Sequence, residues 1–458
     1  MSFPNDASYK NSGVEWLGAL PKEWEITRLK RMLREPVTDG PHTTPHFIED
    51  GVPFLSVDGI QDGELRFDSC RFITAEDHAD YKRKALPRRG DILMGKAAST
   101  GKIARVKVDF EFSIWSPLAL IRLDHRLADP SYVEHCLKSP FCQAQIEVRC
   151  TSNTQKNISM DEIPNLVLPL PPREDQSIIA AFCETESLRV ERLIAEQRLL
   201  IDLLNEKRQA VISHAVTKGL NPDAPMKPSG IEWLGDVPAH WEVMPIRFAA
   251  RLESGHTPSR NHPEYWENCG VPWFTLSDVW QIREEARDII YETEELISEL
   301  GIANSAARKL PAGTVMLSRT ASVGFSALMG VEMATSQDFA NWVCGSQLVP
   351  LYLLQVFRSM QGEFVRLKMG STHNTIYMPD IQSLRFALPP LEEQRSIITF
   401  VKREASRIDA LRSEAQLVIE LLQDRRTALI SAAVTGQIDV RDIVAAAPIV
   451  AARPMEVA

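Results

Sequence analysis

The chain has no apolar run approaching the ~20 residues that a membrane-spanning helix requires, so no span is expected. Met1-Ser2-Phe3-Pro4-Asn5-Asp6 carries neither a basic stretch nor an apolar core, so no secretory signal is expected. Cysteine is sparse and scattered, at 70, 136, 142, 150, 183, 269 and 344, with no Cys-x-x-Cys among the seven. Such a set argues against a disulfide framework and against a zinc site, and a reducing cytoplasm fits best. Common catalytic signatures are missing as well. There is no Gly-x-Gly-x-x-Gly, no nucleophile elbow and no Asn-Pro-Pro-aromatic motif for methyl transfer to an amino group. The stretch Gly95–Lys102 passes for a phosphate loop at first sight. That motif needs four residues between its glycines and a Ser or Thr after the lysine; here five intervene and Ile103 follows. His42 and His46 have helical metal-pair spacing, but Pro41 and Pro45 place them in a loop. A non-catalytic chain with no bound metal or cofactor is expected. The net charge of -10 counts against a chain that coats nucleic acid by itself, while leaving room for a locally basic face.

What is present is a duplication. Ser12-Gly13-Val14-Glu15-Trp16-Leu17-Gly18 returns as Ser229-Gly230-Ile231-Glu232-Trp233-Leu234-Gly235, and Pro21 and Trp24-Glu25 return as Pro238 and Trp241-Glu242. Leu170-Pro171-Pro172-Arg173-Glu174-Asp175-Gln176 returns as Leu388-Pro389-Pro390-Leu391-Glu392-Glu393-Gln394. Proline is tolerated in a helix only at its first turn, and acidic residues there suit the helix dipole, so each copy reads as a helix start. Each start leads into a long segment with heptad spacing. The expected seam is Ile179, Val190, Leu193, Leu200, Leu204 and Val211 in the first copy, with Ile397, Val401, Ile408, Leu411, Val418, Leu422 and Leu429 in the second. Its interruptions match: Glu186 with Glu404, and Lys207 with Arg425. Sustained spacing of this kind predicts a coiled coil.

Between repeat start and helix, each half holds a globular segment with short β-rich runs punctuated by Gly and Pro. Gly51-Val52-Pro53-Phe54-Leu55 matches Gly270-Val271-Pro272-Trp273-Phe274, and Gly90-Asp91-Ile92-Leu93-Met94 matches Gly313-Thr314-Val315-Met316-Leu317. The expected class is α+β: two globular domains, each a mixed sheet with helices, separated by two long antiparallel coiled-coil helices in a pseudo-twofold repeat. The expected boundaries are 1–172 and 221–390 for the globular domains, 173–220 and 391–440 for the helices, and 441–458 for a poorly ordered Ala/Pro/Val tail. The frames agree while the interiors diverge, so the frame does one job twice and the interiors do two different jobs. A helix of about 45 residues spans roughly 68 Å. The chain reads as a ruler with a reading head at each end.

With these residues in hand, the sequence resembles the specificity (S) subunit of type I restriction-modification systems. The features that carry the resemblance are the duplicated Ser-Gly-Val/Ile-Glu-Trp-Leu-Gly segment and the Leu-Pro-Pro helix openings. A third is the pair of segments before the helices, Thr154-Gln155-Lys156-Asn157-Ile158-Ser159 and Thr372-His373-Asn374-Thr375-Ile376. The resemblance reaches to about residue 440. It implies that each globular segment is a target recognition domain reading half of a bipartite site in double-stranded DNA. It also implies that the helices set the spacing and dock two methyltransferase (M) subunits, with restriction (R) subunits completing the complex. S-adenosylmethionine, ATP and Mg are expected on those partners and none on this chain. The candidate DNA contacts of the first head are His42, Thr43, Thr44, His46, Lys96, Ser99, Thr100, Lys102, Gln155 and Lys156. Those of the second are His256, Thr257, Ser259, Arg260, Arg319, Thr320, Ser322, His373 and Asn374. Arg319 leads as direct base reader, because arginine pairs bidentately with guanine. The run Lys82-Arg83-Lys84 with Arg88-Arg89 could touch phosphate. A competing reading is a coiled-coil adaptor whose domains bind proteins, with no sequence-dependent DNA binding.

Overall fold

The structure, a computed structural model, describes residues 9–14, 17–151, 156–283, 287–368 and 374–441. The expected 441–458 tail thus lies almost wholly outside the described residues. Contacts divide the chain into two compact units, 1–197 with 417–458, and 198–416. Two helices, Arg173–Lys218 and Leu391–Val434, contribute residues to both. Among the described residues, no helix is long and apolar enough to cross a membrane.

In unit 1 an antiparallel sheet runs in the order Ile103–Arg105, Ile92–Gly95, Leu118–Ile121, Thr38–Asp39. A second sheet sets Ser113–Ile114 parallel to Val52–Leu55, which pairs on its other side with Arg71–Ile73. Unit 2 repeats the plan. Ala250–Ser254, Phe339–Cys344, Val315–Ser318, Ser326–Met329 and Ile289–Ile290 form one sheet. Glu295–Ile297, Val271–Phe274 and Ala334–Thr335 form the other. The central strands Ile92–Gly95 and Val315–Ser318 are buried along their whole length, as the apolar runs that follow Gly90 and Gly313 require.

The duplicated motifs are the joints of this frame. Gln176 is buried in the first turn of its helix; its amide accepts from Asp129 N at 2.8 Å and donates to the carbonyls of Pro171 and Leu127. Gln394 does the same with Val349 N at 2.8 Å, Pro389 O and Gln347 O. The glutamine that closes the Leu-Pro-Pro motif therefore satisfies the N-cap N–H of a neighbouring helix, a carbonyl just before that helix and a carbonyl of its own motif, which burial would otherwise leave unpaired. Tyr132 donates to Pro169 O and Val434 O, and Tyr352 to Ala387 O and Val216 O, at 3.0 and 3.3 Å in both cases. Each links a head to a long-helix end. That end turns at a glycine of positive φ: Gly219 against Trp241 in unit 2, and Gly436 against Trp24 and Pro21 in unit 1.

Within each unit the long helices run antiparallel. In unit 1 the start of the first helix (Ile179, Ala180, Cys183) shares a core with the end of the second (Ala433, Val434). In unit 2 the end of the first (Ile212, Ala215, Val216) shares one with the start of the second (Ile397, Val401). Ion pairs flank the seam, Glu191 with Arg426 in unit 1 and Arg208 with Asp409 in unit 2, each at 3.5 Å.

Part of the expected seam is corrected. Ile179, Val190, Leu204, Ile397, Val401 and Ile408 are buried, and Val211, Val418, Leu422 and Leu429 are half-buried. Leu193, Leu200 and Leu411, however, are exposed at 37%, 42% and 50%. After Val190 the covered row continues through Ile194, Gln197, Ile201, Leu204, Arg208 and Val211, stepping four then three. After Ile408 it runs through Arg412, Ala415 and Ile419. The expected row stepped three then four, so every second member fell one residue early. Adjacent apolar pairs such as Leu193-Ile194 and Leu200-Ile201 fit either phase. The arginines decide it: Arg208 and Arg412 lie in the seam, where their stems cover apolar surface while their heads pair with Asp409.

One buried group gives unit 1 an acid sensitivity. His135 is buried on helix Pro130–Lys138, and its Nε2 has no hydrogen-bond partner among the described residues. Burial pushes its pKa down to about 4, against the opposing charge of Glu134 and with the help of Lys138. Because the folded value lies below the unfolded one, near 6.5, protonation favours the unfolded chain. The effect is absent above about pH 6.5 and grows to about 3 kcal/mol as pH falls towards 4. The matching helix Pro350–Ser359 carries Gln355 at this place. His135→Gln is therefore expected to flatten the loss of stability between pH 6.5 and 4 in urea melts. An unchanged pH dependence would contradict this.

Candidate nucleic-acid interface

Four loops converge at one edge of each head, and backbone contacts hold them there. The loop after Thr38–Asp39 begins at Gly40, where a Cβ would lie 1.8 Å from Ile114 O; the loop after Ala250–Ser254 begins at Gly255, where it would lie 1.9 Å from Ser336 O. Only glycine allows this approach. A second loop follows each buried central strand, and it contains the same strained turn in both heads. Ser99 N bonds Ala97 O at 2.7 Å across Ala98, and Ser322 N bonds Thr320 O at 2.6 Å across Ala321. Ala98 and Ala321 have φ of 63° and 58°. A three-residue turn about a non-glycine residue of positive φ is rare and strained, and such strain concentrates at functional sites. A glutamine from a neighbouring helix braces it, Gln143 to Gly101 O and Gln361 to Gly324 O.

The third loop belongs to the segment before each long helix. Ile158 N bonds Lys96 O at 2.9 Å and Ile376 N bonds Arg319 O at 2.8 Å. The fourth was not legible in the sequence. It is Trp115-Ser116-Pro117 in the first head and Ser336-Gln337-Asp338 in the second. Trp115 N bonds Leu55 O and Lys96 N bonds Pro117 O; Ser336 N bonds Phe274 O and Arg319 N bonds Asp338 O. The short parallel strand that carries it to this edge depends on long-range pairing, so no local pattern announces it.

The sequence candidates separate on these loops. His42, Thr43, Thr44, His46 and Lys102 are exposed, and Ser99 and Thr100 half-exposed. Thr100 Oγ1 donates to Lys156 O at 2.6 Å, and Lys156 itself pairs with Glu147. Lys96 turns inward, to buried Asp39 at 2.8 Å, with Lys84 at 2.5 Å and His42 at 3.3 Å on the same carboxylate. Burial would raise the Asp39 pKa, but the Lys84 and Lys96 hydrogen bonds and charges outweigh it and hold the carboxyl below its ordinary value. The second head has Ser254 in place of this cluster. There Arg319 is also turned inward: its Nε donates to Gln337 O at 2.9 Å and its Nη1 to Ile376 O at 3.4 Å. Arg319 ties three loops together. Arg260 lies 3.9 Å over the Trp266 ring and pairs with Glu295 at 3.0 Å. His256, Ser259 and Asn374 are exposed, and Thr257, Thr320 and Ser322 half-exposed. Gln155 and His373 lie outside the described residues. Lys82, Arg83, Lys84 and Arg89 have carboxylate partners in Glu111, Asp80, Asp39 and Asp109.

One cluster has the geometry of a hydrolase triad. His78 Nδ1 lies 2.8 Å from Ser113 Oγ and its Nε2 lies 2.9 Å from Glu111. Ser113 is wholly buried in its strand, beyond reach of a substrate, so the cluster serves to pin helix Ala75–Tyr81 to the sheet.

The family model for the type I restriction modification DNA specificity domain matches residues 21–190 and again 238–420, one match for each half of the duplication. The chain belongs to this family. A relative in this specificity family, the putative type I restriction enzyme MjaX specificity subunit of Methanocaldococcus jannaschii, is 24% identical over 96% of this chain and 99% of its own length. The EcoKI specificity subunit of Escherichia coli K12 is 22% identical over 92% and 90%. Among solved structures, one from work on complex assembly and conformational transition of the type I R-M system matches with a TM-score of 0.69 at 20% identity, over 92% of this chain and 99% of the other. The HsdS subunit from Thermoanaerobacter tengcongensis matches at 0.53 and 20%, over 92% and 98%. The specificity-subunit fold is thus shared along nearly the whole chain.

Proposed function

We propose that this chain is the DNA-reading subunit of a type I restriction-modification complex, with each head reading one half of a bipartite, asymmetric site. The observation that carries this is the convergence of four loops in each head, braced by matched backbone contacts around unlike side chains. Where the first head presents Ser116 the second presents Gln337, and the inward-turned anchors beneath differ as well, Lys96 on Asp39 in one and Arg319 on backbone carbonyls in the other. The same support offering different groups suits two different half-sites. The long helices set the half-site spacing and dock methyltransferase subunits. Exposed leucines support the docking role: Leu188 and Leu193 in unit 1, and Leu199, Leu200 and Leu203 in unit 2. S-adenosylmethionine, ATP and Mg belong to the methyltransferase and restriction partners, in the cytoplasm. Partner contacts with phosphate supply the sequence-independent affinity that a chain of net charge -10 lacks. Selection from a randomised duplex library by the chain assembled with its methyltransferase subunit should enrich two short blocks at a constant gap. Enrichment of no sequence by a soluble complex would favour the adaptor reading.

A further inference from the structure

The loop missed by sequence reasoning holds the side chain best prepared to read a base. Gln337 is exposed at the apex of 336–338, and the backbone beneath it is pinned from three sides. Ser336 N bonds Phe274 O at 3.0 Å, Arg319 N bonds Asp338 O at 2.9 Å, and Arg319 Nε bonds Gln337 O at 2.9 Å. The side chain is held too. Thr257, from the loop opened by Gly255, donates its Oγ1–H to Gln337 Oε1 at 2.6 Å. Gln337 Nε2 makes no hydrogen bond among the described residues. The amide is thereby oriented, with its oxygen beside Thr257 and its N–H groups unspent. A carbonyl oxygen has two lone pairs, so Oε1 can still accept one bond while Nε2 donates another.

A donor and an acceptor side by side on one planar amide match a single base edge in the major groove, that of adenine. Nε2 donates to N7 and Oε1 accepts from the N6 amino group. Guanine offers two acceptors there and would leave Oε1 facing O6. We propose that Gln337 reads an adenine in the half-site of the second head, with Thr257 as its positioning residue. This rests on the DNA-reading function proposed above. The adenine is one other than the methylated base, since a base taken out of the stack for chemistry cannot be read in the groove. In the first head the matched residue is Ser116, whose hydroxyl donates or accepts equally well and discriminates less. Arg319 acts through Gln337 by anchoring the loop rather than by touching DNA.

The test is to co-express wild-type, Gln337→Ala and Thr257→Val chains with the methyltransferase subunit and map methylated adenines across the host genome. Because Gln337 is exposed, its variant should melt with the wild type. Wild type should require an A·T pair at one unmethylated position of one half-site. Gln337→Ala should relax that position alone, by roughly 5- to 150-fold in preference, the range expected for one bidentate base contact. Thr257→Val should weaken the same position to a smaller degree. An unchanged motif for folded Gln337→Ala, or relaxation in both half-sites, would overturn the assignment. Absence of any motif from the assembled wild-type complex would overturn the DNA-reading function itself.

Discussion

Trp241→Ala is expected to destabilise unit 2 by about 3–5 kcal/mol, the range for deleting a large buried ring. Trp241 is fully buried, and its Nε1 donates to Glu393 Oε2 at 2.9 Å. The ring edge lies close to Gly219, so the one side chain joins the repeat segment, the end of the first long helix and the start of the second. Truncation removes the packing and leaves Glu393 with one partner fewer; His240, at 2.7 Å, remains. In the first repeat Trp24 stands at the equivalent place against Gly436. Urea denaturation of purified protein reads the loss, and a change under about 1 kcal/mol would mean that the joint is not held by this ring.

The second large effect is expected at Glu134. This buried carboxylate pairs with Arg105 at 2.9 Å and Lys138 at 2.6 Å, and Arg105 reaches on to Glu184 of the long helix at 2.6 Å. Burial would raise its pKa, but Lys138 and Arg105 outweigh burial and hold it below the ordinary carboxylate value. Glu134→Ala removes the charge that compensates a half-buried guanidinium and an ammonium. Breaking a buried network from one side costs about 3–5 kcal/mol. The corresponding residues in unit 2 are apolar, with Leu354 in place of Glu134 and Leu328 in place of Arg105. Double replacement of Arg105 and Glu134 by leucine should therefore recover most of the stability lost by Glu134→Ala. Failure to recover it would show that the network does more than fill space.

The duplicated frame was legible in the sequence because its physics is local. Proline stops, acidic first turns, capping glycines and β-branched runs act over a few residues, and the helices and strands form where those signals fall. The seam was half legible. Heptad spacing marked the long helices, but Leu193-Ile194 and Leu200-Ile201 satisfy two phases, and the choice rests on where Arg208 and Arg412 find carboxylates. The site was legible as loops but not as roles. Lys96 and Arg319 carry the charge that suggests DNA contact, yet Asp39 in one head and backbone carbonyls in the other draw them inward. Those partners lie far off in sequence. Gln337 carried no signal, since its loop reaches the site only through the parallel pairing of Ala334–Thr335 with Val271–Phe274.

The most direct measurement of the central claim is the methylation map of a genome in cells that co-express this chain with its methyltransferase subunit. Two unlike heads on one duplicated frame predict methylated adenines confined to a single split motif, with two different specified blocks and a gap of constant length. Methylation at one continuous motif, at two identical half-sites, or at no motif despite a soluble assembled complex would contradict the account.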